Sequence, residues 1–165
     1  MKKRFTDPQT TIWDYFDEID VVCPDCGSKG KVAKLSEVRD IFAPRRFTCL
    51  ECGKNKNWVK SSISRPETED PYFGFSLWYQ MNCCGHNLFA LNLEHLEFLE
   101  SYVAAELRER GMEKEGWGVR NATMASRLPQ WVKDKKNRRE ILRTISKMKP
   151  KCQQDASSNV ANAPR

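Results

Sequence analysis

The sequence predicts an α+β fold, and three observations carry that prediction. Two Cys-x-x-Cys-Gly turns, at residues 23–27 and 49–53, bracket a stretch with strand-like segments. Residues 72–92 place Phe73, Phe75, Leu77 and Tyr79 at period two, then turn at Cys84-Gly85 and resume with Leu88 and Ala90. Residues 93–110 repeat Leu96, Leu99, Val103 and Leu107 on one helical stripe. The expected architecture is therefore a four-cysteine zinc ribbon and an antiparallel β-hairpin or sheet packed against a long amphipathic helix. A basic helical C-terminal segment follows.

The cysteine turns carry the most chemistry. Two thiolates separated by two residues grip one metal ion from a tight turn. The glycine after each second Cys takes the positive φ that turns backbone N–H groups toward sulfur. Cys23, Cys26, Cys49 and Cys52 thus supply a closed tetrahedral shell for one structural Zn2+ ion. A [2Fe–2S] or rubredoxin-type iron site uses the same ligands, so the metal stays open between zinc and iron on the residues alone. The interval between Cys26 and Cys49 slightly exceeds the usual ribbon spacing, which calls for a hairpin with a long tip. A closed shell has no open position for substrate, so the site is structural.

The rest of the chain is read around this module. Residues 1–22 form an acidic and aromatic lead-in, where Trp13, Phe16 and Ile19 suggest a short helix capped by Thr10 or Thr11. Val21 and Val22 run as a strand into Cys23, and residues 23–60 make the ribbon, with strands expected at Lys31–Leu35 and Arg46–Thr48. Residues 72–111 make the hairpin plus helix, with Asn92 as N-cap, Arg108 and Arg110 suiting the C-terminal end, and Gly111 as the stop. Residues 119–149 read as short basic helices with Pro129 in a first turn and Asn137 as a cap. Ile141, Leu142, Ile145 and Met148 give the last helix an apolar edge, and residues 150–165 read as a frayed tail.

Charge is arranged in blocks. Residues 23–65 carry ten basic and four acidic groups and residues 119–165 carry twelve and three, whereas residues 66–118 carry three and ten. Clustered Lys and Arg suit a polyanion, because they displace counterions from phosphate. The candidate nucleic-acid contacts are Arg45, Arg46, Lys54, Lys56 and Trp58 around the second cysteine turn, and Lys133, Lys135, Lys136, Arg138 and Arg139 in the C-terminal segment. Trp58 packing on the neighbouring sheet, and the basic segment docking on the acidic helix 93–110, are the competing structural readings. No recognition-helix pattern supports sequence-specific DNA reading.

Cys83, Cys84 and His86 offer a possible second metal site, with His95 and Cys152 as more distant candidates. Cys84-Gly85 repeats the ends of the two cysteine turns, like a degenerate knuckle whose first Cys is replaced by Met81. A catalytic Cys84–His86 pair lacks an orienting carboxylate, so no enzyme is expected. No small-molecule substrate is evident. The chain has no apolar run of membrane-spanning length and no signal-peptide pattern, so the expected location is cytoplasmic.

The segments CPDCGSKGK, FTCLECGK, LWYQMNCCGHNLFALNLEHLEFLESYVAAELRER and NATMASRLPQWVKDKKNR resemble a widespread group of small bacterial zinc-ribbon proteins of the transcription-factor-IIB type. The resemblance covers most of residues 20–145. It implies Cys23, Cys26, Cys49 and Cys52 as ribbon ligands, and it marks Cys84-Gly85 and Ser126-Arg127-Leu128-Pro129 as parts of the pattern. The group has no settled activity, so the resemblance bears on fold and metal rather than function. Two functions from different classes remain: a non-enzymatic binder of nucleic acid or of a nucleic-acid-processing complex, and a protein-interaction module such as a toxin-neutralising immunity protein or an adaptor.

Overall fold

The computed structural model describes residues 3–59, 62–109 and 123–149. Among the described residues it is α+β, with two antiparallel sheets and one parallel strand pair. Strand β1 (Arg4–Thr6) leads to a single 3-10 turn at Ile12–Tyr15, and β2 (Glu18–Val22) runs into the first cysteine turn. Strands β3 (Lys29–Lys34), β4 (Arg45–Cys49) and β5 (Asn55–Trp58) complete a four-stranded antiparallel sheet in the order β2-β3-β4-β5. Strands β6 (Tyr79–Cys83) and β7 (His86–Ala90) form a two-stranded hairpin, followed by helix α1 (Leu93–Ala104). After β8 (Leu107–Glu109) come the short helices α2 (Met124–Arg127) and α3 (Gln130–Lys133), and then α4 (Arg138–Met148).

β2 has hydrogen-bonded neighbours on both sides. It pairs with β3 across Ile19↔Val32 and Val21↔Gly30. On its other side Val22 N–H donates to Ser76 O (2.8 Å), Trp78 N–H to Asp20 O (2.9 Å) and Asp20 N–H to Leu91 O (2.7 Å). The chain on both sides of the β6–β7 hairpin is therefore stitched to the ribbon sheet. One cluster of buried side chains runs from Val32 and Phe47 through Val21 and Leu77 to Leu96, Ile141 and Ile145. Helix α4 packs its Ile141, Ile145 and Met148 face against α1 and β6.

Gly30 shows how close this packing is. A Cβ placed there would lie 2.4 Å from the Phe47 ring, on the strand opposite. Only a residue without a side chain lets that ring cover β3.

Several local expectations are corrected. The lead-in helix is only the 3-10 turn, in which Thr11 N–H and Oγ1 both donate to Asp14 Oδ2 (2.7 and 3.0 Å), and Ile19 lies in β2 instead. The regular hairpin arm starts at Tyr79, not Tyr72. Buried Asp70 accepts the N–H groups of Tyr72 (3.0 Å), Phe73 (2.9 Å) and Phe75 (2.7 Å), which winds residues 70–75 into turns, with Gly74 at φ +70°. Helix α1 stops at Ala104 because Ala105 turns extended (ψ 134°) and the chain pairs in parallel with β1, Arg4 beside Leu107 and Thr6 beside Glu109. Arg108 is thus in a strand, not at a helix end. Arg110, Gly111, the loop 112–118 and the tail 150–165 lie outside the described residues. Asn92 is the N-cap as expected, its Oδ1 accepting His95 N–H at 2.9 Å.

His95 is 1% exposed, stacked on Tyr15 (4.8 Å between ring centroids), with Nδ1 accepting Leu91 N–H at 3.1 Å. Burial pushes its pKa down to about 3, so the ring stays neutral in the fold. An unfolded histidine binds a proton near pH 6.5, so the unfolded state gains protons as pH falls while the native state does not. The expected result is a stability loss of about 1.4 kcal/mol per pH unit below roughly pH 6 that His95→Gln lacks. Urea unfolding midpoints of both proteins between pH 7 and pH 5 measure this difference. Parallel pH profiles would show that His95 does not act this way.

Candidate metal centre

The two cysteine turns have the same backbone. In the first, Cys23 N–H donates to Ser28 O (2.8 Å) and Gly27 N–H to Cys23 O (2.9 Å). In the second, Cys49 N–H donates to Lys54 O (2.8 Å) and Gly53 N–H to Cys49 O (3.0 Å). Gly27 and Gly53 take φ +73° and +74°, where an L side chain is strained. The first cysteine of each turn ends or follows a strand and is buried: Cys23 comes after β2 and Cys49 closes β4. The second of each, Cys26 and Cys52, sits at an exposed turn.

The antiparallel path from β2 through β3 to β4 brings the two turns to one end of the sheet. All four sulfurs lie within 4.8 Å of one another. Cys23 and Cys52 Sγ are 3.7 Å apart, and Cys26 and Cys49 Sγ 3.5 Å. Four thiolates bonded at about 2.3 Å around one tetrahedral ion stand about 3.8 Å apart, so the donor set fits a single metal ion with no open coordination position. The long interval between the pairs is absorbed at the opposite end of the sheet, where residues 35–44 form the tip between β3 and β4.

The electrostatics suit an anionic sulfur cluster. The Ser28 backbone N–H and hydroxyl hold the Cys26 thiol down at about 6. At Cys52 the Lys54 backbone N–H also lowers the pKa, but burial and the three neighbouring sulfurs outweigh it and push the thiol up to about 12. Four sulfurs this close cannot all ionise unaided, and a bound cation removes that penalty. Lys54 Nζ crosses to Asp25 Oδ1 at 2.6 Å, tying the two turns together from outside.

Most of the ribbon's candidate nucleic-acid residues are otherwise engaged. Arg45 is 1% exposed, donating to Phe16 O and lying over the Tyr72 ring at 4.4 Å, so it is not a surface phosphate contact. Trp58 is buried edge-on against Tyr72 (4.9 Å between centroids) and has no face free for a base. Both corrections have one cause: β4 alternates, so Arg45, Phe47 and Cys49 share its inward side, and Trp58 pairs opposite Arg45. Arg46 is exposed and bonds Asn57 Oδ1 (3.0 Å), and Lys56 is exposed with Nζ 5.9 Å from the Phe73 ring.

In the C-terminal segment, Lys133 Nζ donates to Ser126 O (2.8 Å) and Arg138 to Ala105 O, so both brace the fold. Lys135, Lys136 and Arg139 are exposed. Docking of α4 on α1 does occur, mainly through apolar faces, and the Lys149–Glu100 ion pair (2.6 Å) adds to it.

Cys83, Cys84 and His86 do not form a second cluster. Among the described residues only the four ribbon cysteines gather as a metal-ligating group. Cys84 (φ 54°) and Gly85 (φ 77°) are both left-handed, the two-residue turn of the β6–β7 hairpin rather than a knuckle. Cys83 and Cys84 sulfurs are 3.7 Å apart, but the exposed His86 ring is stacked on Trp131 (4.8 Å between centroids). His95 is enclosed elsewhere, and Cys152 lies outside the described residues.

Native mass spectrometry of the purified chain is expected to show one metal ion, released by a strong chelator with loss of the ribbon's structure. The metal free energy here is folding free energy, on the order of 10 kcal/mol. Cys26→Ser is accordingly expected to lose both metal and ribbon fold. A metal-free Cys26→Ser chain with an unchanged circular dichroism spectrum would contradict a structural role.

No family model matches this chain, and no curated protein and no solved structure matches it either.

Proposed function

We propose that this chain is a non-enzymatic, zinc-stabilised ribbon protein that contacts nucleic acid, or a complex processing it, through its C-terminal basic face. One observation carries the reading. Arg139, Arg143 and Lys147 recur every four residues on α4, all exposed, while Ile141, Ile145 and Met148 are buried on the opposite side. Exposed Lys135 and Lys136 extend that stripe at its start. Arg143 reaches Glu140 at 3.4 Å, and among the described residues Lys135, Lys136, Arg139 and Lys147 make no ion pair. A helix docked through its apolar face and presenting a cationic stripe neutralised only at Arg143 suits a phosphate backbone. The ribbon's own lysines contribute less, because Lys29, Lys31, Lys34 and Lys54 pair with Asp20, Glu18, Asp17 and Asp25.

Zinc is the metal we assign to the cluster, because four soft thiolates in a closed shell suit a structural d10 ion. The resemblance to bacterial zinc-ribbon proteins of the transcription-factor-IIB type supports the same assignment. We place the protein in the cytoplasm on its unpaired thiols. No helix among the described residues is long and apolar enough to cross a membrane.

A second reading, a protein-interaction module such as a toxin-neutralising or adaptor protein, has one observation in its favour. Leu35, Val38, Phe42 and Val59 are each exposed and lie in the segments just beyond the strand ends away from the cysteines, Val38 at 65% and Val59 at 73%. Exposed apolar side chains at that end suit a protein surface better than a polyanion.

Binding to single-stranded RNA and to duplex DNA, followed by fluorescence anisotropy against salt, separates the readings. The expected outcome is sequence-tolerant binding whose affinity falls steeply with salt. A Lys135→Glu, Lys136→Glu, Arg139→Glu variant is expected to reduce the log–log salt slope by about 2 on single-stranded RNA and by about 2.7 on duplex DNA. A wild-type chain that binds neither polymer at low salt, yet captures one protein in nuclease-treated lysate, would move the assignment to the second reading.

A further inference from the structure

At the tip of the β6–β7 hairpin two aromatic rings lie flat on each other. The two-residue turn Cys84-Gly85 sets His86 directly opposite Cys83. Residues paired this way share one side of a hairpin. Cys83 is buried there, whereas His86 is exposed and its ring stacks on Trp131 of α3, with 4.8 Å between centroids and 10° between planes. Trp131 is itself half-buried. The indole therefore covers one face of the imidazole. Among the described residues no other ring contact or side-chain hydrogen bond engages that imidazole.

The stack adjoins the basic stripe along the chain. Asn137 Nδ2 donates to Trp131 O at 2.8 Å, which folds the turn carrying Lys135 and Lys136 back against α3. Helix α4 starts at Arg138, and Arg139 is the first exposed cation on it. A ring pair kept for packing alone gains by burial, yet this pair leaves its outer ring in solvent. Bases within a duplex stack on one another and present only their edges, whereas unpaired bases have free π-faces. Cations that follow the backbone beside an aromatic face are the combination that holds single strands without regard to sequence.

We propose that the His86–Trp131 stack is a base-stacking platform: an unpaired base of a single-stranded nucleic acid lies on the outer face of His86, while Lys135, Lys136 and Arg139 hold the flanking phosphates. The inference rests on the nucleic-acid reading of the basic face and names the ligand of that face, a single strand rather than a duplex. Stacking uses the π-face of the base and leaves the sugar unread, so RNA and DNA single strands are both ligands. Trp131 acts from below, holding the imidazole flat at the surface, and His86 is the ring that meets the base.

The test uses the full chain loaded with zinc and three DNA probes. These are a mixed-sequence single strand of about 12 nucleotides, the same strand with abasic sugars throughout, and the duplex of the first with its complement. The chain has only two histidines, so the ring-proton NMR signals of His86 are read against those of buried His95 as an internal control. The single strand is expected to shift the His86 signals upfield to saturation and to leave those of His95 in place, and the duplex is expected to move neither. By fluorescence anisotropy at low salt, the abasic strand is expected to bind about tenfold more weakly than the base-bearing one. His86→Ala, checked for folding by circular dichroism, is expected to lose about tenfold on the base-bearing strand and nothing on the abasic strand. His86→Tyr, which keeps a ring face, is expected to bind as the wild type does. If His86→Ala does not fold, the wild-type comparison of the two strands decides. Equal affinity for both strands, unmoved His86 signals, or a folded His86→Ala that still binds fully would each overturn the platform. The nucleic-acid reading then survives wherever charge reversal at Lys135, Lys136 and Arg139 weakens binding. A chain that binds none of the three probes at low salt overturns both.

Discussion

The placement of β2 is the constraint on which the rest of the structure depends. This strand of five residues is hydrogen-bonded to β3 on one side and to residues 76–78 and Leu91 on the other. Its end delivers Cys23 to the metal cluster. Its middle, through Asp20, holds Leu91, and the next residue, Asn92, caps α1 while its amide donates to Glu18 O at 2.8 Å. A strand paired on both edges exposes no ladder to solvent, and its side chains Ile19 and Val21 are fully enclosed. Displacing β2 would therefore disturb the metal end of the ribbon, the hairpin and the start of the helix together.

That central position has an electrostatic consequence. Asp20 lies in β2, is buried, and meets Lys29 Nζ only at 3.5 Å, leaving Oδ1 without a partner. Burial raises its pKa despite the nearby lysine. Farther along the sheet, burial lowers the pKa of Arg45. The two groups are opposite cases of a charge carried inward by its strand. Successive residues of a strand face opposite ways, so Asp20 points away from its neighbours Ile19 and Val21, yet all three are buried because β2 is covered on both faces. Arg45 is enclosed because it shares the inward face of β4 with Phe47. Each buried charge is a local cost of strand register.

The two cysteine turns and the hairpin turn show how one dipeptide serves two purposes. Cys-Gly at residues 26–27 and 52–53 closes a knuckle with only the glycine left-handed, so the preceding sulfur points inward with its pair. At residues 84–85 both positions are left-handed, which matches the twist of a two-residue hairpin and sends the sulfurs of Cys83 and Cys84 to a different environment. Backbone conformation, rather than residue identity, decides which Cys-Gly belongs to a metal site.

The sequence by itself determined the local features. These are the two cysteine turns with their glycines, the Asn92 cap, the hairpin turn at Cys84-Gly85 and the buried stripes Leu96–Leu99–Val103 and Ile141–Ile145–Met148. Each is set by residues within a few positions of one another, where spacing and φ preference act directly. Tertiary structure decided what depends on distant partners. The helix after Asn92 ends at Ala104 because β1, far back in the chain, offers a strand to pair with. Residues 70–75 turn because Asp70 is buried and gathers their N–H groups. Arg45 and Trp58 resemble surface cation and aromatic in one dimension. They become interior because the register of β4 against β5 points both toward Tyr72, a contact no local pattern encodes.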